Sequence, residues 1–268
     1  MRPIPMSSAI AAVLTLAATS GAEPAKAAAP MVVEAAETAK SQEANEKRPD
    51  KDPEAIAALE KMGAFLREQK SFTVHVTIDT DHVLENGLMV RTSGVGELRV
   101  RRPDHLRADV TSDRKERQFF FDGKKFTMNA QKLGYYATID APSTITELAD
   151  ELEDRYSVQL PMVDLFRWGT DQADTDQIKL AMKVGTSKIG GVETDQYSFR
   201  QPGLDWQIWI ERGDHPLPRK LVLTTTDDPK RPEHAVTMTW NLDVKHEDST
   251  FTFSPSKDSH QIALEENP

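Results

Sequence analysis

The chain has 268 residues, 43 acidic and 33 basic side chains, a formal net charge of −10 and no cysteine. That balance argues against a nucleic-acid binder, because duplex binding draws on Lys and Arg to neutralise phosphates, and it suits a soluble protein that resists non-specific association. Without cysteine there is no disulfide, thiol nucleophile, Cys-ligated zinc or lipid-attachment cysteine.

The apolar run Ala9 to Ala18 follows a lone basic side chain, Arg2. It is too short to span a bilayer. Small residues follow at Ser20-Gly21-Ala22 and Ala25-Lys26-Ala27, the small-x-small form of a signal-peptidase site. Residues 1–27 therefore read as a secretory signal cleaved after Ala22 or Ala27, which points to the periplasm. No later stretch approaches the roughly 18 apolar residues of a membrane helix, so the mature protein is expected to be soluble rather than integral to a membrane. Residues 28–51, rich in Ala, Glu, Lys and Gln, read as a flexible linker.

Asp52-Pro53-Glu54 carries a helix-start signal, a capping Asp followed by Pro at the first helical position. Ile56, Leu59, Met62 and Leu66 then keep helical spacing to about Gln69. Phe72, Val74, Val76, Ile78 and Thr80 alternate with polar residues as a half-buried strand, and Glu85-Asn86-Gly87 turns it back. Gly94 and Gly96 inside the returning strand predict a bulge or bend. Leu98 and Val100 oppose Arg99 and Arg101, and Leu106, Ala108 and Val110 alternate with Arg107, Asp109 and Thr111. Asp122-Gly123 between Phe119-Phe120-Phe121 and Phe126-Thr127-Met128 is a hairpin signal.

Thr144 to Glu147 has the Thr-x-x-Glu capping-box form, and Ile145, Leu148, Leu152 and Tyr156 form an apolar stripe. Pro161 opens a second short helix carrying Met162, Leu165, Phe166 and Trp168. Strands resume with alternation at Ile178, Leu180, Met182 and Val184. They continue through Trp206, Ile208 and Ile210, then Leu221 to Leu223, then Val236, Met238 and Trp240. Phe251 and Phe253 read as a short edge strand, and residues 255–268 as a tail. The pattern predicts a mainly β domain over 52–254. It is a half-open antiparallel barrel of about ten or eleven strands, with helices at the N-terminus and across the concave face.

No catalytic motif stands out. Gly123-Lys124-Lys125 lacks the upstream glycine of a phosphate loop, and no His-Glu-x-x-His occurs. His75, Asp79 and Asp81 share a strand face and read as a solvated outer surface rather than a metal site. No enzyme, cofactor or metal is therefore expected, and an unrecognised hydrolase would need a cleft of convergent polar groups.

Gly96-Glu97-Leu98-Arg99-Val100-Arg101-Arg102-Pro103-Asp104-His105-Leu106-Arg107, followed by Phe121-Asp122-Gly123-Lys124-Lys125-Phe126, resembles the strand pattern of the periplasmic lipoprotein-carrier superfamily of LolA- and LolB-like proteins. More narrowly, the segment from about Asp52 to Phe253 resembles the DUF2092 family of predicted periplasmic proteins. Supporting stretches are Ile139 to Ile145, Leu160 to Leu165 and Trp209 to Lys220. The resemblance implies a half-open barrel with helices in its concave face; in the carriers that cavity receives acyl chains.

The apolar strand faces read either as core alone or as core plus a pocket. In the second case Leu98, Val100, Phe126, Met128, Leu165, Phe166, Trp206 and Ile208 are the candidate ligand-binding residues, for a lipid, acyl chain or other apolar ligand. An alternative is a sensor or interaction module whose basic strand face, Arg99, Arg101 and Arg107, docks an envelope protein.

Overall fold

A computed structural model describes residues 50–168, 170 and 175–267. The signal-peptide expectation and linker residues 28–49 lie outside these. Among the described residues no helix is long and apolar enough to cross a membrane.

The helix begun by Asp52 is α1 (Pro53–Glu68), with the Asp52 carboxylate accepting from the backbone N–H of Glu54 at 2.9 Å. Six strands then form an antiparallel meander: β1 (Ser71–Val83), β2 (Met89–Arg101), β3 (His105–Ser112), β4 (Glu116–Phe121), β5 (Lys125–Ala130) and β6 (Tyr135–Asp140). The helices α2 (Ile145–Tyr156) and α3 (Asp164–Arg167) follow. A second meander comprises β7 (Leu180–Ile189), β8 (Val192–Gln201), β9 (Leu204–Glu211), β10 (Pro218–Thr225) and β11 (Glu233–Asn241).

β1 unites the two meanders. It pairs with β2 on one side and with β11 on the other, Thr73 opposite Asn241 through Thr80 opposite His234. The result is one twelve-stranded sheet, in which the short β12 (His260–Gln261) runs parallel to β6 at one edge and β7 forms the other. The sheet does not close, which is the half-open barrel expected. The strand alternation gives it one apolar face: Phe72, Val74, Leu98, Val100, Leu106, Phe121, Phe126, Phe199, Ile208 and Met238 all belong to a single buried cluster.

Local departures have identifiable causes. Pairing runs without a register shift through Gly94 and Gly96, so neither marks a bulge. They are positions of close approach instead: a Cβ at Gly94 would meet the Thr111 carbonyl oxygen at 2.8 Å, and one at Gly96 the Val76 side chain at 2.9 Å. One register shift falls in β10, between Pro218 and Lys220, and another in β7, between Lys183 and Gly185. There Ala181 rather than Leu180 is buried and Val184 is exposed, against the alternation expected.

Phe251 and Phe253 do not form an edge strand. They lie across the convex face, with Phe251 5.1 Å from the His105 ring and Phe253 5.3 Å from Phe120 and 5.0 Å from Tyr136. From there the chain passes the β6 edge and reaches the end of α2. The Asn267 backbone N–H donates to the Arg155 carbonyl at 2.6 Å, and its side-chain amide donates to the Asp154 carbonyl at 2.9 Å. The C-terminal segment thereby satisfies carbonyls that a helix end leaves free.

The β1–β2 hairpin extends past its neighbours and is pinned at its root. Asp81, almost fully buried, accepts from Arg91 at 2.8 and 3.0 Å and from the Glu233 backbone N–H at 3.2 Å. The Arg91 hydrogen bond holds the Asp81 carboxyl below its ordinary range, against the opposing effect of burial. A depressed carboxylate pKa contributes stability that is fully present above the unfolded value and lost as pH falls through the folded one. Asp81→Asn should therefore destabilise the fold by about 1–3 kcal/mol near pH 7. In thermal melts across pH the gap to wild type should narrow as Asp81 becomes protonated.

Candidate functional site

The apolar face needs a cover, and three helices supply it unevenly. α1 packs against β7 and α3, and α3 packs against α2, so the helices lie in a row. α2 begins at its predicted capping box: Thr144 accepts from the Glu147 backbone N–H at 3.2 Å and donates to the Glu147 carboxylate at 2.9 Å. Its stripe Ile145, Leu148, Ala149 and Leu152 is buried. The middle member, α3, has only 4 residues. One helical turn rises about 5.4 Å, too little to fill the space between its longer neighbours.

Beside that short helix lies a cavity of about 250 Å³. Strands β8 to β10 line it with Gln201, Leu204, Trp206, Leu221 and Leu223, and α1 with Ile56, Leu59 and Glu60. Asp164, Trp168, Thr170 and Thr175 complete the wall. Trp206 donates its indole N–H to the Gln201 side-chain oxygen at 2.8 Å and stacks on Phe199 at 4.2 Å. Glu60 and Thr175 are exposed and mark the mouth, whereas Leu59, Gln201, Trp206 and Leu221 are buried at the inner end.

Asp164 is the unusual member. Its carboxyl has no hydrogen-bond partner among the described residues, and the surface it retains faces the cavity. Burial raises its pKa; the Arg167 guanidinium opposes this and Glu153 adds to it. Arg167 is itself held by Asp150 at 3.1 Å and Glu153 at 2.9 Å, both on α2.

Of the residues singled out from sequence, Trp206 lines the cavity. Leu98, Val100, Phe126, Leu165, Phe166 and Ile208 are buried in the main cluster, and Met128 packs half-buried against it. The sheet thus brings these residues together in the core, with the cavity at the β8–β10 end. The polar wall groups Asp164, Gln201 and Glu60 were missed. A single acid inside Pro161-Met162-Val163-Asp164-Leu165-Phe166 was the available signal for one of them.

The outward arginines are part of a charge ladder. Arg99 pairs with Glu97 and, at 2.9 Å, with Asp109; Arg107 donates to Asp109 at 2.9 and 3.1 Å; Arg101 reaches Asp248 at 2.6 Å. His75 continues the row to Glu97 at 3.0 Å, and Gln118 and Asn129 extend it from Asp109. Each of the three arginines is partly covered and matched by a carboxylate, so the face alternates in sign. Among the described residues no group of three or more His, Cys, Asp or Glu side chains is placed to hold a metal ion.

An open, curved, mostly antiparallel sheet with helices in its concave face and an apolar cavity beneath them defines a half-open β-barrel domain. The chain belongs to the DUF2092 family, described as predicted periplasmic protein, whose family model matches residues 55–265. Similar solved structures include LprF from Mycobacterium bovis, at 13% identity and TM-score 0.44 over 74% of this chain and 97% of that one. The lipoprotein LppX from Mycobacterium tuberculosis is 14% identical, with TM-score 0.45 over 72% of this chain and 98% of that one. A LolA superfamily protein from Nitrosomonas europaea is 12% identical, with TM-score 0.36 over 74% and 97%. The search of curated proteins finds no match.

A carboxyl whose folded pKa lies above its unfolded value takes up a proton on folding, so its contribution to stability declines as pH rises through the folded pKa. Asp164→Asn should accordingly raise the melting temperature at pH 7–8, with the advantage shrinking at acidic pH where Asp164 is protonated. Differential scanning fluorimetry across that range checks this.

Proposed function

We propose that this is a periplasmic, non-enzymatic binding protein that shelters an acyl chain, a lipoprotein lipid or another apolar ligand in the cavity between α1, α3 and strands β8 to β10. The observation that carries the reading is the wall itself, where Ile56, Leu59, Trp168, Leu204, Trp206, Leu221 and Leu223 surround a space of about 250 Å³. Cavities of roughly 150 Å³ with apolar walls already admit a benzene-sized molecule, and whole drug-sized ligands occupy about 300–1,000 Å³. The size therefore fits one segment of an acyl chain rather than a complete lipid with several chains. A docking role for Arg99, Arg101 and Arg107 has less support, since a partner would have to displace carboxylates already in place.

Mass spectrometry of lipid extracts from protein purified out of the bacterial envelope should reveal a co-purifying amphiphile. Leu223→Trp, at a partly exposed wall position, should lower affinity for a short-chain amphiphile at least about tenfold, because the added ring occupies the space, at a stability cost of about 1–3 kcal/mol. Unchanged affinity in that variant would remove the ligand from this cavity. Phe126→Ala, by contrast, deletes a fully buried core ring and should cost about 3–5 kcal/mol while leaving the affinity of the remaining folded protein unaltered.

A further inference from the structure

The proposed sheltering role leaves open which end group the apolar ligand carries, and the cavity wall bears on this. Among the described residues its charged members are Asp164 and Glu60, both acidic. Asp164 stands among apolar side chains with an acceptor that no described residue uses. The neighbouring cations lie outside the wall, and their contacts are with other groups, although the Arg102 Nε is unpaired. Arg167 is locked to Asp150 and Glu153, Arg67 donates to the Trp168 carbonyl at 3.3 Å, and Arg102 lies over the Phe166 ring at 4.9 Å and donates to the Leu165 carbonyl at 3.4 Å. None of these three guanidinium groups is in the cavity wall.

We infer, resting on the sheltering role, that the cavity selects amphiphiles whose polar end donates a hydrogen bond, an alcohol or an amine, and rejects those ending in a carboxylate. An alcohol or ammonium reaching Asp164 satisfies a carboxylate that otherwise lacks a partner in a poorly solvated place. A carboxylate brought to the same place meets like charge from Asp164 and Glu60, with no cation among the described wall residues to offset it. Like charges set together in that way discriminate strongly between ligands. Trp206 and Gln201 satisfy one another at the inner end, so the deep part of the cavity suits the chain and the Asp164 side suits the head.

The test uses the purified folded chain and three probes of equal length, 1-octanol, octylamine and octanoate, below their aggregation limits at about pH 8, where the amine and the acid are both ionised. Binding is read from the change in total tryptophan fluorescence, to which the wall residues Trp168 and Trp206 contribute beside Trp209 and Trp240, and confirmed by calorimetry. The expected result is that octanol and octylamine bind at least about tenfold more tightly than octanoate. Asp164→Asn should raise the octanoate affinity, lower that of octylamine and shrink the preference severalfold. Glu60→Gln, at the exposed mouth, should shift the same ratio in the same direction by less.

Octanoate binding wild type as tightly as the other two would overturn the head-group inference while leaving the sheltering role intact. A preference that Asp164→Asn does not alter would overturn the part assigned to Asp164. Failure of all three probes to bind would remove the sheltering role and the inference together.

Discussion

A curved sheet with one apolar face must have that face covered, and most of this structure follows from how the chain meets that demand. The pairing of β1 with β11 merges two meanders into a single twelve-stranded surface. Each large side chain buried on it contributes roughly 1.5–3 kcal/mol, so exposing the face would undo the fold. The cover comes from 16 residues of α1, 12 of α2 and only 4 of α3. Over most of its length the cover packs on a buried cluster that includes Phe72, Phe121, Phe126 and Leu148. Where it is shortest, beside α3, a hollow remains.

That hollow is energetically large. A closed, dry void of about 250 Å³ at roughly 24 cal/mol per Å³ would cost on the order of 6 kcal/mol; this hollow opens past the exposed Glu60 and Thr175, so that figure is an upper bound. Typical domains have only about 5–15 kcal/mol of net stability. Water relieves such a cost only where polar groups hold it, and the inner wall offers little beyond Gln201, already engaged by Trp206. An apolar occupant relieves the cost directly. Burial of its carboxyl likewise makes Asp164 hold its proton more readily than usual, and no described residue donates a hydrogen bond to it.

Much of the scaffold was legible because its signals are local. The alternation in β1 and β9, the Asp122-Gly123 turn and the Thr144–Glu147 box each fix their own element within a few residues. The site was less legible because it depends on relations between distant segments. Trp206 could be picked out as a large residue on the inward face, but so could Leu98, Val100 and Phe126; only the length and placement of α3 separate wall from core. The charge pairing of the arginines was hidden for a related reason. Glu97 and Asp109 neutralise Arg99 and Arg107 across a strand pair, and a register is not visible in composition. Phe251 and Phe253 show strand spacing but cover the convex face, where Phe120, Tyr136 and His105 await partners.

The division of labour between sheet and helices has a consequence for specificity. The strands supply a wall that is almost wholly apolar and would accept many chains equally well. Under the proposed sheltering role, the groups able to tell one ligand from another are Asp164 and Glu60, on α3 and α1. Their positions depend on contacts among the helices, with Arg167 tying α3 to α2 and Arg67 tying α1 to the end of α3. The C-terminal segment in turn anchors α2 through Asn267 and the Arg155–Glu266 pair. Changes in these connections would move the acidic groups without disturbing the sheet. If the cavity shelters a ligand as proposed, its preference can therefore change in the helical layer while the twelve-stranded sheet, which carries the stability, stays the same.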